Sequence, residues 1–469
     1  MAPIYQPSRR ELLGHSACGF GSVALAGLLA GDSLAIEKNP LAPTRPHFAP
    51  RAKRVIFLFM HGGVSHVDSF DPKPKLTLMD GKPLPFPKPK FEFAPTGNLL
   101  KSPWKFSKHG QSGMEISELF PHIGSRSDDI CLLRSMNGGN QVSHGPALLT
   151  LNTGDGVFNR PSLGAWVLYG LGSENQNLPG FISLCPSVYH GGAQNYGAAF
   201  LPACFQGTRV GDGFAPITEA RLSDTTPQDP PALQKIQLDL LRKENERHLA
   251  LAGRDDRLEA RIQSFETAFR MQMEAPKVLD LSSETKETQA LYGIGGGPTE
   301  EFGKLCLLAR RLSEAGVRFV QINHSYPRNY WDAHGDLKNN HSTNALKVDK
   351  PIAGLIEDLK RRGMFRDTLV VFGTEFGRTP AGQSNDGRDH HPHAFSMWLA
   401  GGGVKGGLTH GQTDEFGYYV QENKVTMPDF HATLLHLLGL DHKRLTYRHA
   451  GRDFRLTDVH GEVVQPILA

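Results

Sequence analysis

Residues 54–63 read Arg54-Val-Ile-Phe-Leu-Phe-Met60-His61-Gly62-Gly63. An apolar run without alternation is the pattern of a strand buried on both faces, and a Gly-rich turn ends it. Runs of the same kind recur at 130–133, 180–184, 318–322, 368–372 and 395–400. Segments with helical spacing lie among them, at 147–151, 162–171, 299–315, 343–362 and 428–438. Strands alternating with helices predict an α/β fold, a mostly parallel sheet with helices on both faces. Between 231 and 273 the helical spacing stands alone, through Leu233, Ile236, Leu240 and Leu241 and again Leu258, Ile262, Phe265 and Phe269. This predicts an inserted helical hairpin over about 230–275.

The N-terminus reads as an export signal. Ser8-Arg9-Arg10-Glu11-Leu12-Leu13 sets paired arginines before an apolar run from Ala17 to Ala30, and Ser33-Leu34-Ala35 offers small residues for cleavage. That order predicts a twin-arginine signal peptide over residues 1–35, a Pro-rich linker over 36–50 and an α/β domain over 51–469. The expected location is periplasmic or extracellular. The apolar run is too short to span ~30 Å of hydrocarbon, so no stable membrane insertion is expected. A formal net charge of +3 leaves no polybasic footprint and argues against a nucleic-acid partner. Cys131 and Cys306 sit in apolar runs and read as buried free thiols, whereas Cys185 and Cys204 either pair or stay free. No C-x-x-C pair exists, which excludes a zinc knuckle. The oligomeric state is left open.

In a parallel sheet, ligands sit beyond the carboxyl ends of the strands, and the loops there are polar. His61, Ser65, His66, Asp68 and Asp71 follow the first strand. Asn323, His324, Asp332, His334 and Asp336 follow the 318–322 run, and Thr374, Glu375 and Arg378 follow the 368–372 run. Arg388, Asp389, His390, His391 and His393 precede the 395–400 run. Imidazoles and carboxylates from several loops at one edge are what a divalent cation needs. The expected ligands are Asp68, Asp332, His334, Glu375, His390 and His391, with zinc or calcium as the ion. Any one of these residues reads as readily as a turn-former or cap; the enrichment of four loops at one edge is the stronger observation. Ser143-His144-Gly145-Pro146 precedes a helical segment, and Ser143 reads either as a nucleophile or as a plain cap, with His144 beside it. Arg378 reads either as a bidentate partner for an anionic group or as half of a surface salt bridge.

The phrases RVIFLFMHGGVSHVDSFDPKPKL, WDAHGD, TLVVFGTEFGRTP and GRDHHPHAFSMWLAGGGVKGG resemble those of a bacterial twin-arginine-exported family, domain of unknown function 1501. That family is grouped with the alkaline phosphatase and sulfatase superfamily. The likeness runs from about Lys53 to the C-terminus and implies an alkaline-phosphatase-like fold with an ordered ligand set. Asp68 or Asp71 stands for the acid after the first strand, although His61 holds the place directly after it. Ser143 stands for the nucleophile. Asp332 and His334, with one residue between them instead of three, stand for an Asp/His segment, and Asp336 is a third option there. Glu375 stands for the Asp of an Asp-His pair whose His is replaced by Phe376. His390, His391 or His393 stands for a late His. The change at 376 makes a one-metal site, or calcium with oxygen ligands, an alternative to two metals. The Cys-x-Pro-or-Ala-x-Arg signature of common sulfatases is absent, since Cys185 precedes Pro-Ser and Cys204 precedes Phe-Gln. The resemblance thus implies an exported metal-dependent hydrolase of phosphate or sulfate esters, acting on a small-molecule or carbohydrate ester. The alternative is a non-catalytic member that binds a ligand or partner.

Overall fold

The computed structural model describes residues 39–87, 97–219, 275–384 and 386–469, with scattered positions between 230 and 270. The segment expected to be a signal, and most of the expected helical hairpin, lie outside the described residues. The quoted run forms β1 (Arg54–Met60). Successive strand side chains point to opposite faces, and β1 divides its residues between two cores. Ile56, Leu58 and Met60 enter one, and Val55, Phe57 and Phe59 enter the other. A strand buried on both faces has no room for polar alternation, which explains the unbroken apolar run.

The other strands of the main sheet, with one hairpin beside it, are β2 (Ile130–Asn137), β3 (Phe181–Leu184), β4 (Thr208–Val210), β5 (Phe319–His324), β6 (Thr368–Gly373), β7 (Gly377–Gln383), β8 (Gly387–His391), β9 (Phe395–Gly401), β10 (Leu408–His410) and β11 (Val425–Thr426); short two-stranded ribbons lie outside it. Among the described residues nine strands form the main sheet, in the order β10-β2-β9-β6-β1-β5-β3-β4, with β11 also paired to β2. β1 lies parallel between β5 and β6. β9 runs antiparallel to both of its neighbours, β6 and β2. β7 and β8 form a separate antiparallel hairpin in a region the sequence reading left as loop. Ser384, Asp386 and Gly387, at the junction of the two strands, are turn-formers, the available signal for a hairpin.

Helices cover both faces. They are α1 (His66–Ser69), α2 (His144–Thr153), α3 (Leu163–Leu171), α4 (Glu300–Glu314), α5 (Leu337–Arg361) and α6 (Met427–Leu437). α4 and α5 bury Leu305, Leu312, Ile352 and Leu355 on the Ile56 face. α2, α3 and α6 bury Leu151, Trp166, Phe430 and Leu434 on the Phe57 face. α6 starts with a capping box in which the Thr426 side chain accepts from Asp429 N and the Asp429 carboxylate accepts from Thr426 N. α5 starts six residues before the expected 343. Its first turns, Leu337-Lys-Asn-Asn-His341, carry no apolar stripe, so spacing alone does not reveal them. The expected linker and the residue after it dock along two helix ends: the amides of Thr44 and Arg51 donate to the carbonyls of Leu171 and Leu437, groups that have no partner within their own helices. Cys131, Cys185, Cys204 and Cys306 are all free thiols, which settles the pairing left open for Cys185 and Cys204. No helix among the described residues is long and apolar enough to cross a membrane.

The sheet core is bound by close aromatic contact. Phe372 of β6 and Trp398 of β9 stack with centroids 5.2 Å apart and planes 7° apart, both fully buried. Trp398→Ala is expected to lower the unfolding free energy by about 3–5 kcal/mol in urea titration. A loss below about 1 kcal/mol would contradict this packing.

Candidate metal centre

β1, β5 and β6 end side by side, and the chain that leaves them converges. Gly62 has φ 115°, and a Cβ there would lie 2.5 Å from the Asp332 amide nitrogen and 2.6 Å from that of Trp331. Only glycine lets the 331–332 backbone cross the end of β1, where Trp331 N donates to the His61 carbonyl at 2.9 Å. Gly387 at the start of β8 likewise leaves no room for a Cβ against the His334 carbonyl. The β7–β8 hairpin therefore lies directly on the 332–334 segment and brings His390 to Asp332. His144 arrives from the opposite side as the first residue of α2.

His144 sits at the middle of the resulting cluster. Its Nδ1 is 2.7 Å from Glu375 Oε1, and its Nε2 is 3.4 Å from Asp332 Oδ2. Asp332 Oδ1 is 3.0 Å from His334 Nε2 and 3.2 Å from His390 Nε2. His61 Nε2 lies 3.0 Å from His190 Nδ1. Three overlapping donor groups follow: His61, His144 and Glu375; His144, Asp332 and His390; His334, Asp389 and His390. Within each, one donor atom per residue lies within 4.8 Å of the others. Bonds of about 2.0–2.2 Å to nitrogen and oxygen suit donors gathered this closely. The buried His144 Nε2 has only the long 3.4 Å contact to Asp332 Oδ2, a poorly met demand that a cation answers. The residues present thus fit a divalent ion.

The protonation states fit as well. Burial pushes His61 down to about 3 and His390 down to about 4, so both rings are neutral and have a lone pair to give. Burial opposes ionisation of Glu375, but His144 and His61 outweigh it and bring the carboxyl down to about 2. Burial likewise opposes ionisation of Asp332; Arg378 foremost, then the hydrogen bonds from His144, His334 and His390, hold it far below the usual carboxylate range. At His144, burial lowers the pKa, and the two carboxylates reverse that and raise it.

Asp332, His334, Glu375 and His390 therefore come together around His144. Asp68 does not join them. It forms a bidentate pair with Arg388, 2.7 Å to Nε and 3.1 Å to Nη2, with both side chains fully buried. His391 also points elsewhere, because neighbours on a strand face opposite ways. Its Nε2 donates to the Tyr418 carbonyl at 2.6 Å and its ring stacks on His66. Arg378 is neither an anion receptor nor part of a surface salt bridge. It is fully buried and donates to the carbonyls of Gly62, Gly63 and Arg388 and to Asp332. Ser143 is the N-cap residue of α2, but its side chain makes no capping bond. Asp71 is paired with Lys73 at 2.9 Å, and Asp336 precedes α5. The ligand set named from the sequence lacked His61, Asp389 and the neighbouring His190. His61 directly follows β1 and His190 lies in the loop after β3, so the rule of looking beyond strand ends reaches both; Asp389 lies within β8 and is signalled only by its place beside His390.

The fold and this centre define an α/β protein with a mixed imidazole and carboxylate cluster at the carboxyl edge of its sheet. The family model described as "Protein of unknown function (DUF1501)" matches residues 52–468, and the chain belongs to that family. No curated protein matches the chain. Among solved structures, the lipoteichoic acid synthase LtaP from Listeria monocytogenes is similar at 8% identity and TM-score 0.37, over 89% of this chain and 78% of that one. The alkaline phosphatase from the Antarctic bacterium TAB5 is similar at 8% identity and TM-score 0.32, over 83% and 98%. The PsFucS1 sulfatase from Pseudoalteromonas sp. is similar at 12% identity and TM-score 0.33, over 83% and 68%. At such values no residue's role carries across.

The Asp68–Arg388 pair supports the centre without belonging to it. Burial opposes ionisation of Asp68 and Arg388 outweighs it, so its pKa is lowered on folding. The pair's contribution is complete above the usual carboxylate range and is lost as pH falls through the lowered value. Asp68→Ala is expected to cost about 3–5 kcal/mol in chemical denaturation at pH 7, because Arg388 is left buried and unpaired. The Asp68→Ala, Arg388→Met double variant should cost less than the single one. Equal losses would show that the pair is not the source.

Proposed function

We propose that this protein is an exported, metal-dependent hydrolase of phosphate or sulfate esters, with a small-molecule or carbohydrate ester as substrate. The observation that carries the reading is the overlap of donor groups on His144 at the carboxyl edge of the sheet. The resemblance of the phrases around His61, Asp332, Glu375 and His390 to a family grouped with the alkaline phosphatase and sulfatase superfamily supports it. The paired arginines ahead of a short apolar run support export to the periplasm or beyond. Imidazole-rich sets with carboxylates suit a zinc-like ion better than calcium, which takes oxygen throughout.

His144 together with His61 and Glu375, or together with Asp332 and His390, would hold the ion, which when bound would supply positive charge to the ester oxygens and acidify a nucleophile. The chain's own groups do the rest. Ser143 precedes His144 at the start of α2, where N–H groups at a helix start favour an anion. Attack by Ser143 Oγ, or by water in its place, forms a new bond from that oxygen to phosphorus or sulfur while the nucleophile's proton passes to solvent, and the bond to the leaving oxygen breaks. His334 stands at the rim with its side chain 37% exposed. Its hydrogen bond to Asp332 raises its basicity, and it supplies the proton that the leaving alkoxide takes up. Water then releases the group from Ser143.

A second reading, binding without turnover, is favoured by Phe376. Its ring packs 4.4 Å from His390 and 4.9 Å from His144 and fills space beside both.

Mature protein is expected to hold about one divalent ion per chain by mass-spectrometric metal analysis and to hydrolyse aryl phosphate or aryl sulfate. His144→Ala should lose the ion and lower kcat/KM by about 10²–10⁴. Metal-loaded protein inert to both esters overturns the hydrolase reading and leaves the binding one.

A further inference from the structure

A ladder of aromatic rings runs from the surface to the candidate centre. Phe214 lies 6.0 Å from Tyr189, Tyr189 lies 5.3 Å from Tyr326, and Tyr326 lies 5.0 Å from Tyr330, measured between ring centroids. Tyr330 in turn lies 5.0 Å from His61 and 5.4 Å from His144. The outer end is open to solvent, with Tyr189 47% and Phe214 51% exposed. Turns hold these two rings in place. Asp212 Oδ1 accepts from Phe214 N at 2.9 Å, and Tyr189 N donates to Ser187 Oγ at 3.1 Å. Neither ring belongs to a buried core cluster. Exposed rings grouped at the mouth of a polar site mark a surface that a ligand covers.

We propose that Phe214, Tyr189, Tyr326 and Tyr330 form a subsite for the pyranose ring of a sugar phosphate or sugar sulfate. The proposal rests on the hydrolase reading and narrows its substrate class. A pyranose has flat arrays of C–H groups that pack on aromatic faces, and hydroxyls at its edge that need hydrogen-bond partners. Three of the four rings are tyrosines, which present both an apolar face and a phenolic O–H. An acyl or alkyl leaving group favours an enclosed apolar pocket, whereas this strip is open and mostly phenolic. The ladder leads from solvent to the cluster, so a sugar lying along it carries its ester group toward His61 and His144.

The test compares full-length metal-loaded protein with the Tyr189→Ala, Phe214→Ala double variant. The probes are glucose 6-phosphate, galactose 6-phosphate, glucose 6-sulfate and galactose 6-sulfate, set against methyl phosphate and methyl sulfate. The wild type is expected to prefer a pyranose ester to the methyl ester of the same acid by about tenfold or more in kcat/KM, and the variant to lose that preference. Saturation-transfer NMR with the same sugars, on metal-free protein, should mark ring C–H protons in the wild type and not in the variant. Methyl-ester turnover without a pyranose preference overturns the subsite and leaves the hydrolase reading. Sugar saturation lost in the variant, with no ester hydrolysed, overturns the hydrolase reading and keeps the subsite. Saturation equal in both proteins, or absent from both, overturns the subsite.

Discussion

The buried guanidinium of Arg378 joins the three pieces of chain on which the centre depends. It donates to the carbonyls of the Gly62-Gly63 turn, to the Arg388 carbonyl on β8 and to the Asp332 carboxylate. Arginine's fork of fixed donors suits such a junction. Around His144 itself the centre gathers two carboxylates, the part-buried Asp332 and the buried Glu375, with Arg378 as the permanent cation bonded to Asp332. A second positive charge is needed for neutrality inside a low-dielectric edge of the sheet. The raised basicity of His144 is one answer to that need, and a divalent ion is the other. The two compete for the same lone pair, so proton and metal binding oppose each other at His144.

Around this junction the framework is neutral and tightly made. Asp68 and Arg388 cancel each other's charge, and Ser65 donates to Asp68. His341, from the first turns of α5, accepts from Ser65 N at 3.1 Å. The short α1 segment is thereby fastened to β8 and α5, and the turn after β1 keeps its shape. Asp68 is thus an acid that positions the loop, while the acids that face the cluster come from Asp332 and Glu375. Phe376 closes the cluster on one side and leaves the Tyr330 side, with its aromatic ladder, as the approach.

Most of the framework was legible in the sequence, because a two-sided strand must be apolar throughout and a covering helix must carry an apolar stripe. β1 and β6 announce themselves this way, and β5 and β9 do so less cleanly because they bury Gln321, Asn323 and Ser396 among apolar residues. The β7–β8 hairpin did not, since its strands mix Gly, Arg, Thr and His and carry no apolar period. Reading it as loop had a direct consequence for the site: His390 and His391 look equivalent in a loop, whereas on a strand one faces the cluster and the other faces Tyr418. Asp68 was misplaced for a different reason. Its partner Arg388 lies 320 positions away, and no local pattern tells a metal-facing acid from a paired one. His61 carried the clearest signal, its position directly after the central strand.

The central claim is that one ion is held at His144 between residues that reach it from opposite ends of the chain. Anomalous scattering at the zinc edge, from crystals of zinc-loaded protein, tests it most directly. A peak within about 2.0–2.3 Å of a His144 ring nitrogen and of a carboxylate oxygen of Asp332 or Glu375 is the predicted result. A peak at surface histidines only, with His144 still bonded to Glu375 alone, would contradict it.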